Sequence, residues 1–154
     1  DPLTGLLNRR SFNQRINSLI NNPIFMPLGL MIGDMNYLKH INDRFGHICG
    51  DQYLIAISEV LKTHAGNSPV YRLGGDEFAI IVVNTKEEEM RRLEKKIKET
   101  CHETVLTAGS LSISLGFHIA NQTSEKSEDL FSRAESAMYQ EKKNYQRKEQ
   151  IRIK

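Results

Sequence analysis

The sequence lacks several features that would place it in a specialised class of protein. Its only two cysteines, Cys49 and Cys101, match no zinc or redox spacing, and we expect free thiols in a reducing compartment. The formal net charge is only +2, which argues against nucleic acid as the main partner. No apolar run approaches the ~18 residues of a membrane helix, and no signal peptide is visible. We therefore expect a cytoplasmic domain with no membrane segment in this chain.

The length of 154 residues favours a single domain, 1–154, that can bury a core of its own. The chain begins at Asp1 rather than at methionine. We interpret it as a fragment of a longer protein with a sensory region upstream, where any membrane anchor would also lie.

Apolar periodicity predicts alternating helices and strands. The predicted helices cover 8–21, 36–45, a segment starting at Asp51 as N-cap, 86–100 and 128–145. The predicted strands cover 28–33, 70–73, 78–83 and 110–120, with 151–153 as an added edge strand. This order predicts an α/β fold with a mixed sheet.

The most unusual segment is the turn between the strands 70–73 and 78–83. Gly74 and Gly75 suit the tight turn of a hairpin, but a turn has no need of the two carboxylates that follow, Asp76 and Glu77. A third acid, Asp34, ends the apolar run 28–33. Carboxylates that meet at strand ends can hold a hard divalent cation, and Mg²⁺ usually arrives with phosphates. The sequence therefore predicts that these acids converge.

The residues after Asp34 predict a phosphate site. Backbone amides of 35–38 lie at the start of a predicted helix, where unpaired N–H groups and the helix dipole favour an anion. Lys39, one turn into that helix, could reach the same phosphate. The alternatives are that Asp34 is only an N-cap and that Lys39 is a surface lysine paired with Asp43.

Asn42 and Asp51 form a candidate guanine site. A carboxylate accepts two parallel hydrogen bonds, which guanine offers through N1–H and N2–H₂ and adenine does not. The alternative for Asp51 is an N-cap. A metal site built on His40, His47 and Cys49 fits no tetrahedral zinc spacing, so we expect structural roles for them.

Four blocks of the sequence occur in a fixed order: 1–10, 34–51, 72–78 and 137–142. Together they resemble the GGDEF domain family of diguanylate cyclases over nearly the whole chain. The resemblance implies a mixed five-stranded central sheet flanked by helices, similar to nucleotidyl cyclase catalytic domains. It also implies condensation of two GTP into cyclic di-GMP and two pyrophosphates, across a dimer formed with a second copy of the domain.

The resemblance assigns roles residue by residue. It implies a Mg²⁺ (or Mn²⁺) site made by Asp34, the Met35 carbonyl, Asp76 and Glu77, the last two also being catalytic. It implies guanine binding by Asn42 and Asp51. The implied phosphate contacts are the amides of Tyr37 and Leu38 with the side chains of Lys39 and Lys142.

The chain departs from the family at several positions. Ala65 and Ser68 replace the Arg-x-x-Asp motif of product inhibition, so no such site is expected. After Lys142 the usual glycine and arginine are missing from their places, which leaves Arg147 or Lys143 as candidates for a second basic phosphate contact. Asn36 replaces an aspartate that is common in relatives.

Three hypotheses remain open at this point. The first is an active diguanylate cyclase, which the intact acids favour. The second is a catalytically weak GTP-binding regulatory module, which the altered tail favours. The third is a purely structural dimerisation domain, which leaves the guanine-type pair unexplained.

Overall fold

The computed structural model describes residues 1–153, with side chains for residues 1–149. The helices are α1 (Arg9–Ile20), α2 (Leu38–Phe45), α3 (His47–Ala65), α4 (Glu87–Glu103) and α5 (Ser127–Ile153), with a 3₁₀ turn at Pro23–Phe25. The strands are β1 (Leu28–Met35), β2 (Val70–Gly74), β3 (Glu77–Val82), β4 (Val105–Leu106), β5 (Gly109–Ser110) and β6 (Ile113–Ala120).

The central sheet has the strand order β2-β3-β1-β6, and every pairing in it is antiparallel. The α/β class with flanking helices is confirmed, but within the described residues the sheet has four strands rather than five. A single parallel bridge joins Leu7 to Tyr71 beside β2. The predicted edge strand 151–153 is wrong, because these residues continue α5. The predicted strand 110–120 is divided between β5 and β6.

The sheet lies between two hydrophobic clusters. Every residue of β1 is buried, as expected for a central strand covered on both faces. Met31 and Met35 face the cluster formed with α3 and α4, whereas Leu30 and Ile32 face the cluster formed with α1 and α5. The two faces therefore fix β1 firmly, and with it the position of Asp34.

The packing of α5 on β6 is unusually close at Gly116. A Cβ built there would lie 2.1 Å from the backbone nitrogen of Met138, which no side chain can do. Glycine is therefore required at this point of contact between helix and strand.

The predicted start of α3 at Asp51 is wrong. Gly46, at φ 91°, ends α2 and also precedes α3, which begins at His47. Its amide donates to the Asn42 carbonyl, 2.9 Å away. Because glycine adopts this φ without strain, two helices follow one another across a single residue.

Both cysteines are buried free thiols, as predicted. Burial raises the pKa of the Cys101 thiol to about 12. On α4, Glu87 pairs with Arg91 at 2.6 Å, and Lys98 pairs with Glu141 of α5. Among the helices described, none is long and apolar enough to cross a membrane.

Candidate functional site

The fold brings the three predicted acids together at one end of the sheet. β1 and β3 pair so that Asp34 lies opposite Glu77. The Met35 amide donates to the Asp76 carbonyl at 2.9 Å, which ties the tip of the hairpin to the end of β1. The convergence predicted from the sequence is therefore present.

Asp34 is buried, with 7% of its surface exposed. Burial raises the pKa of its carboxyl group, and the neighbouring charge of Asp76 raises it further. Lys142 opposes both effects, because its Nζ donates to Asp34 Oδ1 at 2.6 Å. A cation from α5 thus already neutralises the Asp34 carboxylate.

Glu77 is half-buried, and burial is also the main cause that raises its pKa. The charge of Glu135 on α5 adds to this rise, and the charge of Arg9 opposes it. Arg9 lies 3.9 Å from Glu77 Oε1, beyond hydrogen-bond distance. Within the part of the chain that the structure describes, this buried oxygen has no hydrogen-bond partner. A buried polar atom without a hydrogen bond is energetically costly. Unpaired groups of this kind often have a catalytic or ion-binding role.

Two arginines hold the hairpin that carries Asp76 and Glu77. Arg72 donates to the Gly75 carbonyl from Nε at 3.0 Å and from Nη2 at 2.7 Å. Its Nη1 contacts Asp1 at 3.2 Å. Arg9 donates from Nε to the Leu73 carbonyl at 3.1 Å. The N-terminal segment is thereby linked directly to the base of the acidic turn.

The segment between β1 and α2 is fixed by Asn36. Its side chain donates to Ser112 Oγ at 2.9 Å and accepts from Ser114 Oγ at 3.0 Å. The backbone amide of Asn36 donates to the Ser112 carbonyl at 2.9 Å. Four unpaired amides were predicted in 35–38, but the amides of Met35 and Asn36 are used within the fold.

Tyr37 turns the chain into α2 in a left-handed conformation, at φ 64° and ψ 21°. A bulky residue pays about 1–2 kcal/mol for this conformation, and such strain is concentrated at functional sites. Among the described residues, the amides of Tyr37 and Leu38 find no hydrogen-bond partner. We call the segment 36–38 the phosphate loop, after the phosphate contact that the sequence predicts for these amides.

The two predicted phosphate lysines differ in their surroundings. Lys39 is exposed on α2, and the described residues show no ion pair between it and Asp43. Lys142 is partly buried and forms an ion pair with the Asp34 carboxylate. Lys143 and Arg147 are exposed further along α5.

Asn42 and Gly50 meet where α2 and α3 face each other. A Cβ on Gly50 would lie 1.8 Å from Asn42 Oδ1, so only glycine leaves room for the amide. That oxygen is buried and unpartnered as far as the chain is described. Asp51, the next residue after Gly50, is exposed on α3. The fold therefore places Asn42 against Gly50, the residue before Asp51, and leaves the Asn42 oxygen without a donor among the described residues.

Replacing Gly50 with alanine should weaken nucleotide binding and leave the stability of the fold nearly unchanged. The new methyl group displaces the Asn42 amide. If Asn42 binds guanine, as the resemblance implies, the KM for GTP should rise about 3- to 10-fold, which corresponds to the loss of one hydrogen bond. The melting temperature should change little, because the Asn42 side chain can swing away and alanine favours the helix. Steady-state kinetics and thermal melts test this, with the exposed α3 change Gln52→Ala as control. An unchanged KM would contradict the role of Asn42.

Asp34, Asp76 and Glu77 are residues of a type that binds divalent cations, but they do not form a complete metal site. No group of three carboxylate, histidine or cysteine side chains among the described residues is already arranged around a metal position. However, the Lys142 ammonium group rests on Asp34, which shows that a cation is accommodated there. The unpartnered Glu77 oxygen and the nearby Asp76 carboxylate are hard oxygen donors, the type of ligand that Mg²⁺ and Mn²⁺ prefer.

Sequence reasoning missed several residues of the site. Glu135, which raises the pKa of Glu77, was assigned only to an amphipathic helix. Arg9 and Arg72 were noted only as parts of motifs, and Asn36 only as a replacement. For Asn36, the only signal in the sequence was a polar side chain next to a candidate metal ligand.

Comparison with known proteins agrees with this geometry. Residues 1–148 match the family described as diguanylate cyclase, GGDEF domain. The chain is 36% identical to diguanylate cyclase DgcN of Escherichia coli, over 98% of this chain and 38% of DgcN. It is 32% identical to cyclic di-GMP phosphodiesterase NbdA of Pseudomonas aeruginosa, over 92% of this chain and 19% of NbdA. The chain thus spans well under half the length of these relatives.

Solved structures show the same fold. The GGDEF domain of DgcB from Caulobacter crescentus, in complex with cyclic di-GMP, superposes with a TM-score of 0.87 at 25% identity. The match covers 94% of this chain and 90% of that domain. With the family match over 1–148 and the hairpin beside Asp34, the chain belongs to the diguanylate cyclase, GGDEF domain family.

Proposed function

We propose that this domain is a diguanylate cyclase that condenses two GTP molecules into cyclic di-GMP and two pyrophosphates. The observation that carries the proposal is the pairing of Asp34 with Glu77, which puts three acids beside the phosphate loop. Neither a structural domain nor a simple hairpin needs acids at that place. The names of the cyclase relatives support the same conclusion.

Different residues of the chain bind the guanine base and the phosphates of GTP. Asn42 and Asp51 hold the guanine edge, and the amides of Tyr37 and Leu38 hold the phosphates. Lys142 leaves Asp34 when a phosphate offers a stronger negative partner, which frees the carboxylate. Lys39 adds positive charge at the exposed side of the phosphates.

Asp34, the Met35 carbonyl, Asp76 and Glu77 would hold Mg²⁺ or Mn²⁺. When bound, the cation offsets the repulsion between carboxylates and triphosphate and lowers the pKa of the attacking hydroxyl. In the reaction, the 3′-oxygen of one GTP bonds to the α-phosphorus of the other as the bond to the pyrophosphate oxygen breaks. The hydroxyl proton passes to the Asp76 carboxylate. Positioning supplies much of the acceleration.

One domain offers one nucleotide site, so we propose that two copies face each other with two-fold symmetry. Each copy then presents its own GTP to the α-phosphate of the other. A longer parent protein would bring the copies together through its other segments and carry the reaction out in the cytoplasm.

The direct test is to incubate the domain with GTP and Mg²⁺ and to measure cyclic di-GMP and pyrophosphate. We expect one cyclic di-GMP for two pyrophosphates, and no product when chelator removes the cation. GTP binding without any product, at high protein concentration and in a forced dimer alike, would contradict the proposal.

Base selection provides a second test. Changing Asp51 to serine removes the acceptor of the paired guanine donors, so the preference for GTP over ATP should fall about 10- to 100-fold. Binding of both nucleotides to wild type, Asp51→Ser and the control Asp43→Ser measures this ratio. If Asp51→Ser keeps the wild-type ratio, another residue reads the base.

A GTP-binding regulatory module is the second candidate. Gln146, rather than an arginine, lies one helical turn after Lys142, which weakens the phosphate site. NbdA, named as a phosphodiesterase, contains a region similar to this chain. Tight GTP binding with no turnover, even in a forced dimer, would favour this candidate.

A further inference from the structure

Tyr145 occupies the place where the last helix of this family often has glycine, three residues after Lys142. Helix α5 therefore does not end there and continues to Ile153. The Tyr145 ring is half-buried, and its centroid lies 5.8 Å from that of Tyr37, with the ring planes at 50°. This distance and tilt are those of a favourable aromatic pair.

Tyr37 is the residue of the phosphate loop that most needs support. Its φ of 64° is unfavourable for a bulky residue, and its side chain makes no capping hydrogen bond to α2. On one side the loop is anchored by Asn36. On the other side the Tyr37 carbonyl accepts from the Ile41 amide at 2.9 Å. The ring itself has Tyr145 as its aromatic contact.

We propose that Tyr145 is a positioning residue for the phosphate loop. Its ring holds Tyr37 in the left-handed conformation, so that the amides of Tyr37 and Leu38 are directed at the phosphates before GTP arrives. Tyr145 acts through Tyr37 and touches no substrate atom. This role rests on the proposed function.

The test compares Tyr145→Ala and Tyr145→Phe with wild type and with Asn144→Ala, the neighbouring exposed position of α5. The first readout is the three-bond coupling between the amide proton and Hα of Tyr37 in the nucleotide-free protein, which reports φ. The second is the separate measurement of KM and kcat for GTP. Alanine favours the helix, so α5 remains formed.

In Tyr145→Ala we expect the coupling to shift and KM to rise about 2- to 10-fold, with kcat within about 2-fold of wild type. Tyr145→Phe and Asn144→Ala should match wild type in both readouts, since the ring and not the hydroxyl makes the contact. An unchanged coupling or an unchanged KM in Tyr145→Ala would overturn the proposal.

The coupling keeps this inference separate from the cyclase proposal, because it requires no GTP. If the domain makes no cyclic di-GMP, the dissociation constant for inorganic pyrophosphate replaces KM. A shifted coupling with weakened pyrophosphate binding then supports the role of Tyr145 although the cyclase proposal fails. Pyrophosphate binding equal to that of wild type would overturn it.

Discussion

Replacing Asp34 with asparagine should lower the rate of cyclic di-GMP formation about 10²- to 10³-fold. Asparagine keeps the shape of the side chain and removes the charge that would hold the divalent cation. The loss of one preorganised electrostatic contact at a reacting phosphate has an effect of this size. Turnover at saturating GTP and Mg²⁺ measures it, with Mn²⁺ binding as a direct check on the metal site.

The fold of Asp34→Asn should survive, because the asparagine side-chain oxygen can still accept the hydrogen bond from Lys142 Nζ. The matched control is Asp43→Asn, which removes an acid of the same type from the exposed side of α2. We expect this control to keep wild-type turnover and Mn²⁺ affinity. Turnover of Asp34→Asn within tenfold of wild type would remove Asp34 from the metal site.

Forced dimerisation should raise the specific activity of the domain by up to about 10³-fold at micromolar concentration. A short linker to a parallel coiled coil gives the two copies an effective concentration on the order of 1 mM. The isolated domain at about 1 µM meets its partner far less often. Initial rates at several enzyme concentrations, with and without the coiled coil fused before Asp1, measure the gain.

The control for this experiment is the same fusion with polar residues at the core positions of the coiled coil, which leaves the domain monomeric. The isolated domain should show a rate that grows with the square of its concentration, and the fused dimer a linear dependence. A linear dependence in both, with equal specific activity, would show that one copy is sufficient and would exclude the two-site mechanism.

The sequence was a good guide to the acidic end of the sheet, because local patterns determine it. An apolar run long enough for a buried strand ends at Asp34, and a Gly-Gly turn places Asp76 and Glu77 at the tip of a hairpin. When two such strands pair, their ends meet. The bounds predicted for α1, α2 and α4 lie within three residues of the observed ones, whereas α3 begins four residues earlier and α5 ends eight residues later than predicted.

The sequence was a poor guide where one residue serves two elements or where partners lie far apart in the chain. Gly46 ends α2 and precedes α3, so Asp51 is not needed as an N-cap. Residues 151–153 have a strand-like composition, but no glycine or proline interrupts α5 before them. Asn36 is fixed by Ser112 and Ser114, contacts that no local pattern reveals.

The roles proposed for Lys142 and Tyr145 could be inferred only from the sequence and the structure together. The resemblance alone assigned Lys142 to phosphate, and only the fold shows that its ammonium group contacts Asp34. Tyr145 was noticeable from the sequence only as a missing glycine. Its contact with Tyr37 depends on α5 continuing past that point.

The close contact at Gly116 also limits how the site can move. The Met138 backbone packs directly against Gly116, which has no side chain. A shift of α5 along the sheet would bring this backbone against the side chain of Ser114 or His118. Lys142 is one turn further along the same helix, so its Cα stays at a constant height above Asp34. In the proposed mechanism, Lys142 therefore passes from the carboxylate to the nucleotide by rotation of its flexible side chain, while the backbone of α5 stays in place.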